Sequence, residues 1–416
     1  MPQRSETAQQ VADLLRTARQ SLGMGLAFLS RMDETVQHLE VVDSVLPLQD
    51  GMTQPRATSF CQLITDGVLP PVIPDVTRFP AADRLPGTEQ GIRSYISVPV
   101  ELSDGTVYGT FCGAGFVADP QLSDRDRVLM EVLAHAAAMI VEPEVRQRRR
   151  NAVIERRLRP VLEQGGPVVL LQPIVDLATG RRVGAEALSR FPHEWNQPPD
   201  EVFADAGLIG QRENLELAAL RRAADHLREV TGYVAMNISP ATLFAPAGLE
   251  FLTGLPLDRV VLELSEHDPI EDYERLKEIL APLRARGLRL AIDDVGAGYS
   301  SLRHIVATGP DVIKLDRSMV SGVAHDAVLH VVVDALAQLA RAVDATVVAE
   351  GIETAADAAA LAELDISLGQ GWHFDRAVTA AELHDRYALT SPDAAGPGRP
   401  LTAPAGPAVT SSGTPR

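Results

Sequence analysis

Hydrophobic and polar residues in the first third of the chain follow two different periods. Residues 7–20 space their apolar side chains three and four positions apart, which predicts an amphipathic helix. A second helix is expected after Ser123, and Pro143 is expected to end or kink it. Strict alternation predicts half-buried strands between the two helices, at GLAFLSRMD, HLEVVDSV, SYISVPVEL and VYGTFCGAGF. This region is therefore expected to form an antiparallel sheet with a helix beside it.

From residue 167 the pattern changes to short β-branched runs separated by helical stretches. This alternation is typical of parallel strands joined by helices. Eight runs of this kind predict an α/β fold, a (β/α)8 or TIM-like barrel. The runs are VVLLQPIVD, VGAEALSRF, YVAMNIS, VVLELSE, LRLAIDDVG, VIKLD, TVVAEGIE and LGQGWHF.

These patterns divide the chain into four segments. We expect an α+β domain over residues 7–142, a helical linker over 143–165, the barrel over 166–390 and a disordered tail over 391–416. The tail is rich in Pro, Gly, Ala, Ser and Thr, and it has too few apolar residues to form a core. A length of 416 residues agrees with two folded domains, because one hydrophobic core seldom serves so long a chain.

The net charge of −18 narrows the range of partners. Binding to a nucleic-acid polymer depends largely on neutralising its phosphates, so we expect no such partner. The basic stretch over residues 146–159 contains no aromatic residue and is interpreted as a solvated linker helix. No apolar run reaches the roughly 18 residues that cross a membrane, and the N-terminal residues lack a secretory signal pattern. A cytoplasmic protein without membrane contact is expected.

The chain contains two cysteines, Cys61 and Cys112. They are too few for a disulfide framework and too far apart in sequence to indicate a zinc motif. We interpret them as buried structural thiols, and redox sensing or chromophore attachment is the alternative.

Polar residues at the ends of the predicted barrel strands form the candidate site. Strand ends of such a barrel converge on one face, where catalytic residues lie. Crowded carboxylates need cations, and oxygen ligands without His or Cys suit Mg²⁺ or Mn²⁺. Two ions bridged by one carboxylate can activate a water molecule that attacks a phosphodiester. Asp293 is the candidate for the bridging carboxylate. The set comprises Glu186, Asn237, Glu263, Asp293, Asp294, Lys314, Glu350 and Gln370.

Several of these residues, among them Glu263 and Glu350, also have a simpler interpretation. A single strand-end glutamate is most often a solvated surface group. Asp293 and Asp294 could cap a helix, and Lys314 could form only a salt bridge. The ordered set favours metal ligation for the acidic residues and a catalytic role for Lys314.

Short motifs along the second half of the chain resemble the EAL family of cyclic di-GMP phosphodiesterases. The resemblance covers roughly residues 150–390. Its motifs follow in order: GluAlaLeu at 186–188 with Arg190, AsnIleSer at 237–239, GluLeuSerGlu at 263–266, AspAspValGlyAlaGlyTyrSerSer at 293–301, LysLeuAsp at 314–316, AlaGluGlyIleGlu at 349–353 and GlnGly at 370–371.

The resemblance implies a role for each matching residue. Glu186, Asn237, Glu263 and Asp293 would hold one Mg²⁺ or Mn²⁺ ion, and Asp293, Asp294 and Glu350 would contribute to the second. Lys314 would position the attacking water, with Glu186 and Glu350 beside it in the catalytic set. Gln172, Arg190 and Gln370 would contact the substrate. Glu266 would anchor the loop that contains Gly296 and Gly298 and that couples dimerisation to metal binding.

Several positions depart from the family pattern. Val295 replaces the usual Phe, Ser189 replaces an apolar residue, and Asp205 stands where Glu is more usual. Trp372 follows GlnGly where Tyr is common, and the usual Pro is missing at 376–377. None of these residues is a predicted metal ligand.

Residues 7–142 resemble a GAF sensory domain. The resemblance rests on PheCysGln at 60–62, ProAspVal at 74–76, SerTyrIleSerValPro at 94–99 and AspGlyThrValTyrGlyThrPheCys at 104–112. Such a domain would bind an unknown small molecule or serve only as a dimer scaffold.

Together these features predict a metal-dependent hydrolase that opens cyclic di-GMP to linear pGpG and that the GAF-like domain regulates. A homodimer is expected. The alternatives are a catalytically weak cyclic di-GMP receptor and a dimeric interaction scaffold.

Overall fold

The computed structural model of the chain describes residues 4–296 and 301–388. The tail predicted to be disordered, residues 391–416, lies outside them. The described residues fall into two compact units that divide between Val153 and Ile154. Within these residues, no helix has both the length and the apolar composition that crossing a membrane requires.

The first unit contains one antiparallel sheet, as predicted. Its strands follow the order β3-β2-β1-β6-β5-β4, with every neighbouring pair antiparallel. The strands are β1 (Leu26–Met32), β2 (Val36–Ser44), β3 (Met52–Pro55), β4 (Val72–Ile73), β5 (Ser94–Glu101) and β6 (Val107–Gly115). The helices of this part of the chain are α1 (Glu6–Ser21), α2 (Phe60–Thr65), α3 (Pro86–Glu89) and α4 (Asp124–Glu163).

The two faces of this sheet carry separate cores. Helix α1 begins after Ser5, whose side chain accepts a hydrogen bond from the Ala8 N–H, and buries its apolar face together with the first part of α4. The opposite face packs around α2 and includes Phe60, Cys61 and Cys112. Because successive side chains on β5 and β6 point to opposite faces, the strands supply both cores.

Helix α4 does not end at Pro143, and the prediction that it could end there was wrong. The helix continues to Glu163, so the predicted linker is the second part of α4. Proline removes one backbone donor at a cost of about 3 kcal/mol in a helix interior. Buried apolar residues on both sides of it, including Val141 and Val145, stabilise the helix through the proline.

The second unit is a closed barrel of eight strands, and the predicted α/β TIM-like barrel is confirmed. Its strands are β7 (Val168–Asp176), β8 (Arg182–Arg190), β9 (Tyr233–Asn237), β10 (Val260–Ser265), β11 (Arg289–Val295), β12 (Val312–Leu315), β13 (Thr346–Ala349) and β14 (Leu368–Gly369). The helices are α5 (Pro199–Leu208), α6 (Arg212–Asp225), α7 (Pro240–Phe244), α8 (Pro246–Thr253), α9 (Tyr273–Arg284), α10 (Ser301–Thr308), α11 (Arg317–Val320), α12 (Ala327–Ala342), α13 (Ala355–Glu363) and α14 (Ala380–Ala388).

The barrel differs from the expected parallel arrangement at its first strand. Strand β7 runs antiparallel to both β8 and β14. Only five residues, 177–181, connect β7 to β8, whereas a parallel crossover needs a dozen or more. The Asp176 side chain accepts hydrogen bonds from Thr179, and Gly180 adopts a φ of 67°, so this connection folds as a tight hairpin turn.

Candidate metal centre

The polar residues predicted at the strand ends come together at one mouth of the barrel. Parallel registers align them: Glu263 lies opposite Asn237, and Asp293 lies opposite Ser265. The antiparallel pair aligns Glu186 on β8 with Gln172 on β7. The apolar strands around them exclude water from most of these side chains. Those that are buried are Glu186, Glu263, Asp293, Lys314 and Gln370.

The ammonium of Lys314 lies at the centre of this cluster. The side chain is only 1% exposed, because β12 carries it among the neighbouring strands. Its Nζ atom lies within ion-pair distance of four carboxylates: 2.7 Å from Glu350 Oε1, 2.9 Å from Glu263 Oε1, 3.1 Å from Asp293 Oδ1 and 3.4 Å from Glu186 Oε2. One positive charge therefore faces several negative ones in a dry environment.

Two groups of carboxylates are close enough to share a cation. In each, the ligand oxygens all lie within 4.8 Å of one another. Glu186, Glu263 and Asp293 form the first group, and Asp293, Asp294 and Glu350 form the second. Asp293 belongs to both, which is the geometry that a bridging ligand requires.

Burial strongly perturbs the titration of this cluster. It raises the pKa of Glu263 and of Glu350 well above the usual range, and neighbouring carboxylates raise both further although Lys314 opposes the shift. Burial and Glu186 likewise raise the pKa of Asp293. Burial lowers the pKa of Lys314, but the surrounding carboxylates outweigh it and hold this pKa well above its usual range. Burial also raises the pKa of Glu186, but Lys314 and hydrogen bonds from Gln370 and Asn237 outweigh it and lower this pKa. Without further positive charge, Glu263, Glu350 and Asp293 tend to retain protons.

Asp294 is strained as well as charged. Its backbone φ is 60°, in the left-handed region that non-glycine residues rarely adopt. Its N–H donates to Asp293 Oδ1 over 2.9 Å. Burial first and the Asp293 charge second raise its pKa to about 6. Such strain is concentrated at functional sites.

The donor set fits a divalent cation. The buried Oε2 atom of Glu263 receives no hydrogen bond from any residue that the structure describes. A buried carboxylate oxygen without a donor is costly, and a cation would satisfy it. Amide groups orient the neighbouring carboxylate: Asn237 donates to Glu186 Oε1 over 3.3 Å, and Gln370 donates to Glu186 Oε2 over 2.6 Å and to Glu350 over 3.1 Å. Hard oxygen ligands of this kind favour Mg²⁺ or Mn²⁺.

A cavity of about 330 Å³ opens beside these carboxylates. Its lining includes Arg190, Asn237, Glu263 and Asp294. The Arg190 guanidinium is half-buried and donates to the Ser189 carbonyl, and burial lowers its pKa. This places a cation next to the acidic cluster, where it can meet an anionic ligand.

Two of the residues expected to contact substrate have partners within the protein. Gln172 donates to the Asp375 carbonyl over 3.3 Å. Gln370 is buried and bonded to two carboxylates of the cluster. In this structure Gln370 therefore orients the acidic residues.

Glu266 holds the start of the loop after β11. It is buried, and its Oε2 atom accepts a hydrogen bond from the Gly296 N–H over 3.4 Å. Gly296 has a φ of 108°, and a Cβ there would lie 2.3 Å from Met319 Cγ, so only glycine fits. Gly298, which the sequence assigned to the same loop, lies outside the described residues.

The departures from the family pattern lie in different environments. Val295 is fully buried in the barrel core, and Ser189 lines the cavity. Asp205 on α5 accepts a hydrogen bond from Gln197. Trp372 is exposed, and the Arg376 guanidinium lies 4.1 Å from the centre of its ring.

Sequence reasoning missed a buried glutamate behind the site. Glu216 on α6 accepts hydrogen bonds from the backbone and hydroxyl of Ser239, two residues after Asn237, and pairs with Arg212 over 2.8 Å. It therefore helps fix the turn that carries Asn237. The signal was present in the sequence, because Glu216 interrupts the apolar face of the helix at NLELAAL.

Comparisons with known proteins agree with this architecture. A family model described as EAL domain matches residues 155–377, and one described as GAF domain matches residues 5–142. An uncharacterised protein of Synechocystis is 28% identical over an alignment of 248 positions, and the match covers 55% of this chain and 35% of that protein. The chain thus spans about a third of the length of that relative.

Two solved structures are similar to part of this chain. The PaMucR phosphodiesterase, in complex with cyclic di-GMP, is 30% identical; the match covers 55% of this chain and 99% of that one, with a TM-score of 0.49. An EAL domain protein from Listeria monocytogenes is 20% identical, with 56% and 98% covered and a TM-score of 0.50, and this likeness concerns the fold alone.

Proposed function

Because the chain belongs to the EAL domain family, we propose that its barrel hydrolyses cyclic di-GMP to linear pGpG with two Mg²⁺ or Mn²⁺ ions. The observation that carries the proposal is the pair of carboxylate groups that share Asp293. The described motif residues Glu186, Glu263, Asp293, Lys314 and Glu350 lie at this same mouth of the barrel.

The charge of the cluster supports two ions rather than one. Glu186, Glu263, Asp293, Asp294 and Glu350 carry five negative charges when ionised, and Lys314 carries one positive charge. Two divalent cations would neutralise the remaining four. When bound, they would supply an activated water and would neutralise charge that develops on the phosphodiester.

The protein's own residues would orient the reactants. The Lys314 ammonium is held at ion-pair distance from the acidic groups, which suits it to align a water molecule for attack. Asn237 and Gln370 hold Glu186 in a single orientation. Arg190 faces the cavity and would pair with a substrate phosphate. Gln172, at the same mouth, would contact the rest of the dinucleotide.

The N-terminal unit contains a GAF domain, and we propose that it regulates the barrel within a homodimer. An exposed apolar stripe on α4 supports self-association: Val128 is 54% exposed, Val132 62% and Met139 66%. These residues are four and seven positions apart and so lie along one side of the helix. The stripe would be buried against a second copy of the chain.

Product analysis tests the catalytic proposal. Purified full-length chain is incubated with cyclic di-GMP and Mg²⁺ or Mn²⁺, and linear pGpG is quantified by chromatography. We expect product from the wild type, and loss of at least about 100-fold in Glu186→Ala and in Lys314→Met, because each removes a group from the reacting centre.

Lys277→Met is the matched control, since it removes an exposed lysine whose only ion pair among the described residues is with Glu274 on α9. This variant should keep full activity. Cyclic di-GMP binding without product in the wild type would overturn hydrolysis in favour of the receptor interpretation. A wild type that neither binds nor cleaves the dinucleotide would favour the scaffold.

A further inference from the structure

The two cysteines of the chain, 51 positions apart, meet inside the N-terminal unit. Cys61 lies in the first turn of α2, and Cys112 lies on β6. Their sulfur atoms are 3.2 Å apart, and both residues are at most 1% exposed. Both are free thiols in this structure. Burial agrees with the sequence interpretation of structural thiols, but direct contact between the two sulfurs goes beyond it.

Polar groups surround the sulfur pair in an otherwise apolar core. Gln37 donates to Cys61 Sγ over 3.0 Å, and the Tyr95 hydroxyl lies 3.1 Å from the same atom. Thr110 and Ser97 lie 3.2 Å and 3.3 Å from Cys112 Sγ. Two thiols that served only to fill space would need none of these partners, since a thiol packs as a small apolar group.

This environment favours one thiolate and one thiol. Burial raises the pKa of Cys61, but hydrogen bonds from Cys112, Thr110, Tyr95 and Gln37 outweigh it and hold this pKa below its usual range. Burial and the neighbouring Cys61 raise the pKa of Cys112 well above its usual range. A nucleophilic thiolate next to a second thiol is the arrangement of a redox-active cysteine pair.

A chain of side-chain amides connects the pair to the surface. The half-exposed Gln54 donates to the side-chain oxygen Oε1 of Gln37 over 2.7 Å, and the Gln37 side-chain nitrogen in turn donates to Cys61 Sγ. These two hydrogen bonds connect the edge strand β3, which contains Gln54, to the sulfur of Cys61. Because both sulfurs are buried, an oxidant reaches them only when this core opens locally, and a small uncharged oxidant needs the smallest opening.

We propose that Cys61 and Cys112 form a redox-active dithiol that hydrogen peroxide converts into an intramolecular disulfide. The Cys61 thiolate attacks one peroxide oxygen, the O–O bond breaks, and water leaves after proton uptake, so that Cys61 becomes a sulfenic acid. Cys112 sulfur then attacks Cys61 sulfur, the S–O bond breaks, and a second water leaves. Overall, two thiols and one peroxide become one disulfide and two waters.

Disulfide formation would change the packing of this core. The sulfurs must approach from 3.2 Å to about 2.05 Å, which draws the first turn of α2 toward β6. The hydrogen bonds from Gln37 and Tyr95 to a Cys61 thiolate would be lost. The redox state is therefore expected to alter the stability of the N-terminal unit, which thermal unfolding measures.

Thiol counting in the full-length chain tests the proposal directly. Native protein is treated with hydrogen peroxide, quenched with catalase, denatured, and its thiols are titrated. We expect the count to fall from two to none and to return to two with dithiothreitol, and the oxidised monomer to lose the mass of two hydrogen atoms. No other cysteine is present to confuse the result.

Single variants separate a pair from two independent thiols. Cys112→Ser should stop at a Cys61 sulfenic acid that dimedone traps, whereas the wild type should show little trapping because Cys112 resolves the intermediate. Two thiols that survive peroxide in the native protein would overturn the proposal. So would disulfide-linked dimers on a non-reducing gel in place of the oxidised monomer.

Discussion

Lys314 alone forms ion pairs with four of the acidic residues of the site. The chain contains two lysines, and one of them lies buried among four carboxylates. A compact ammonium can contact several oxygens at once, whereas the planar guanidinium of arginine favours one or two carboxylates in its own plane. The number of carboxylates around this position therefore explains why a lysine lies here in a chain that is otherwise rich in arginine.

The raised pKa of Asp294 predicts how stability depends on pH. Between its ordinary value of 3.8 and about 6, the folded protein holds a proton that the unfolded chain releases. Its contribution to stability is therefore fully present below pH 3.8 and is lost as pH rises through about 6. In chelator-treated protein, Asp294→Asn should flatten the decrease in melting temperature between pH 5 and pH 7.

The control for this prediction is Asp334→Asn on α12, outside the site, which should retain the wild-type slope. Added Mn²⁺ should stabilise the wild type at pH 7 more than at pH 5, because protons compete with the cation for the same oxygens. A slope in Asp294→Asn equal to that of the wild type would contradict the prediction.

At the scale of elements, the reversed strand β7 shapes one side of the site. A hairpin turn after Asp176 places Gln172 directly opposite Glu186. The same reversal pairs β7 with β14, whose two residues directly precede the buried Gln370. One irregular strand therefore connects the first and last polar residues of the mouth.

The start of the loop after β11 offers a test of close packing. Gly296→Ala should add strain of about 1–2 kcal/mol from the positive φ, together with a clash against Met319. Because Gly296 also donates to Glu266 and directly follows Asp294 and Val295, we expect weakened metal binding and at least tenfold less pGpG formation. Calorimetric titration with Mn²⁺ and product analysis measure the two effects.

Gly322→Ala is the matched variant, because Gly322 has a φ of 86° but open space where the Cβ would lie. It should cost about 1 kcal/mol of stability, as alanine at a positive φ does, and leave activity unchanged. Equal activity in the two variants would show that the contact with Met319 does not matter for the site.

Sequence patterns predicted most of these elements, for physical reasons that can be stated. All eight barrel strands lie where apolar runs predicted them, since buried strands need continuous apolar residues. The direction of β7 was missed because an apolar run carries no information on polarity, and only the length of the next connection does. Helix α4 passes through Pro143 because tertiary packing outweighs local propensity. Sulfur contact between Cys61 and Cys112 depends on strand order, which composition does not reveal.

At the scale of the whole molecule, the apolar stripe on α4 predicts the assembly state. Light scattering should find a mass of about twice the 44.7 kDa chain for the wild type. Replacing Val132 and Met139 together by Glu should yield the mass of a single chain, because charge in an apolar interface is costly. Both positions are exposed within the chain, so folding should be unaffected.

Val117→Glu provides the control, since Val117 is 77% exposed and lies outside α4. It should leave the mass unchanged. A wild type that scatters as a single chain at all concentrations would contradict dimerisation, and a dimer that survives both glutamates would place the interface elsewhere.

The pairing of β7 with β14 has a consequence for how the protein is made. A ribosome releases residues 168–176 long before residues 368–369, so the barrel stays open during most of its synthesis. Contacts of such large sequence separation form late and slow the folding of a domain. Gln370 leaves the ribosome with the closing strand, so a nascent chain should acquire its orienting contact to Glu186 only near the end of translation.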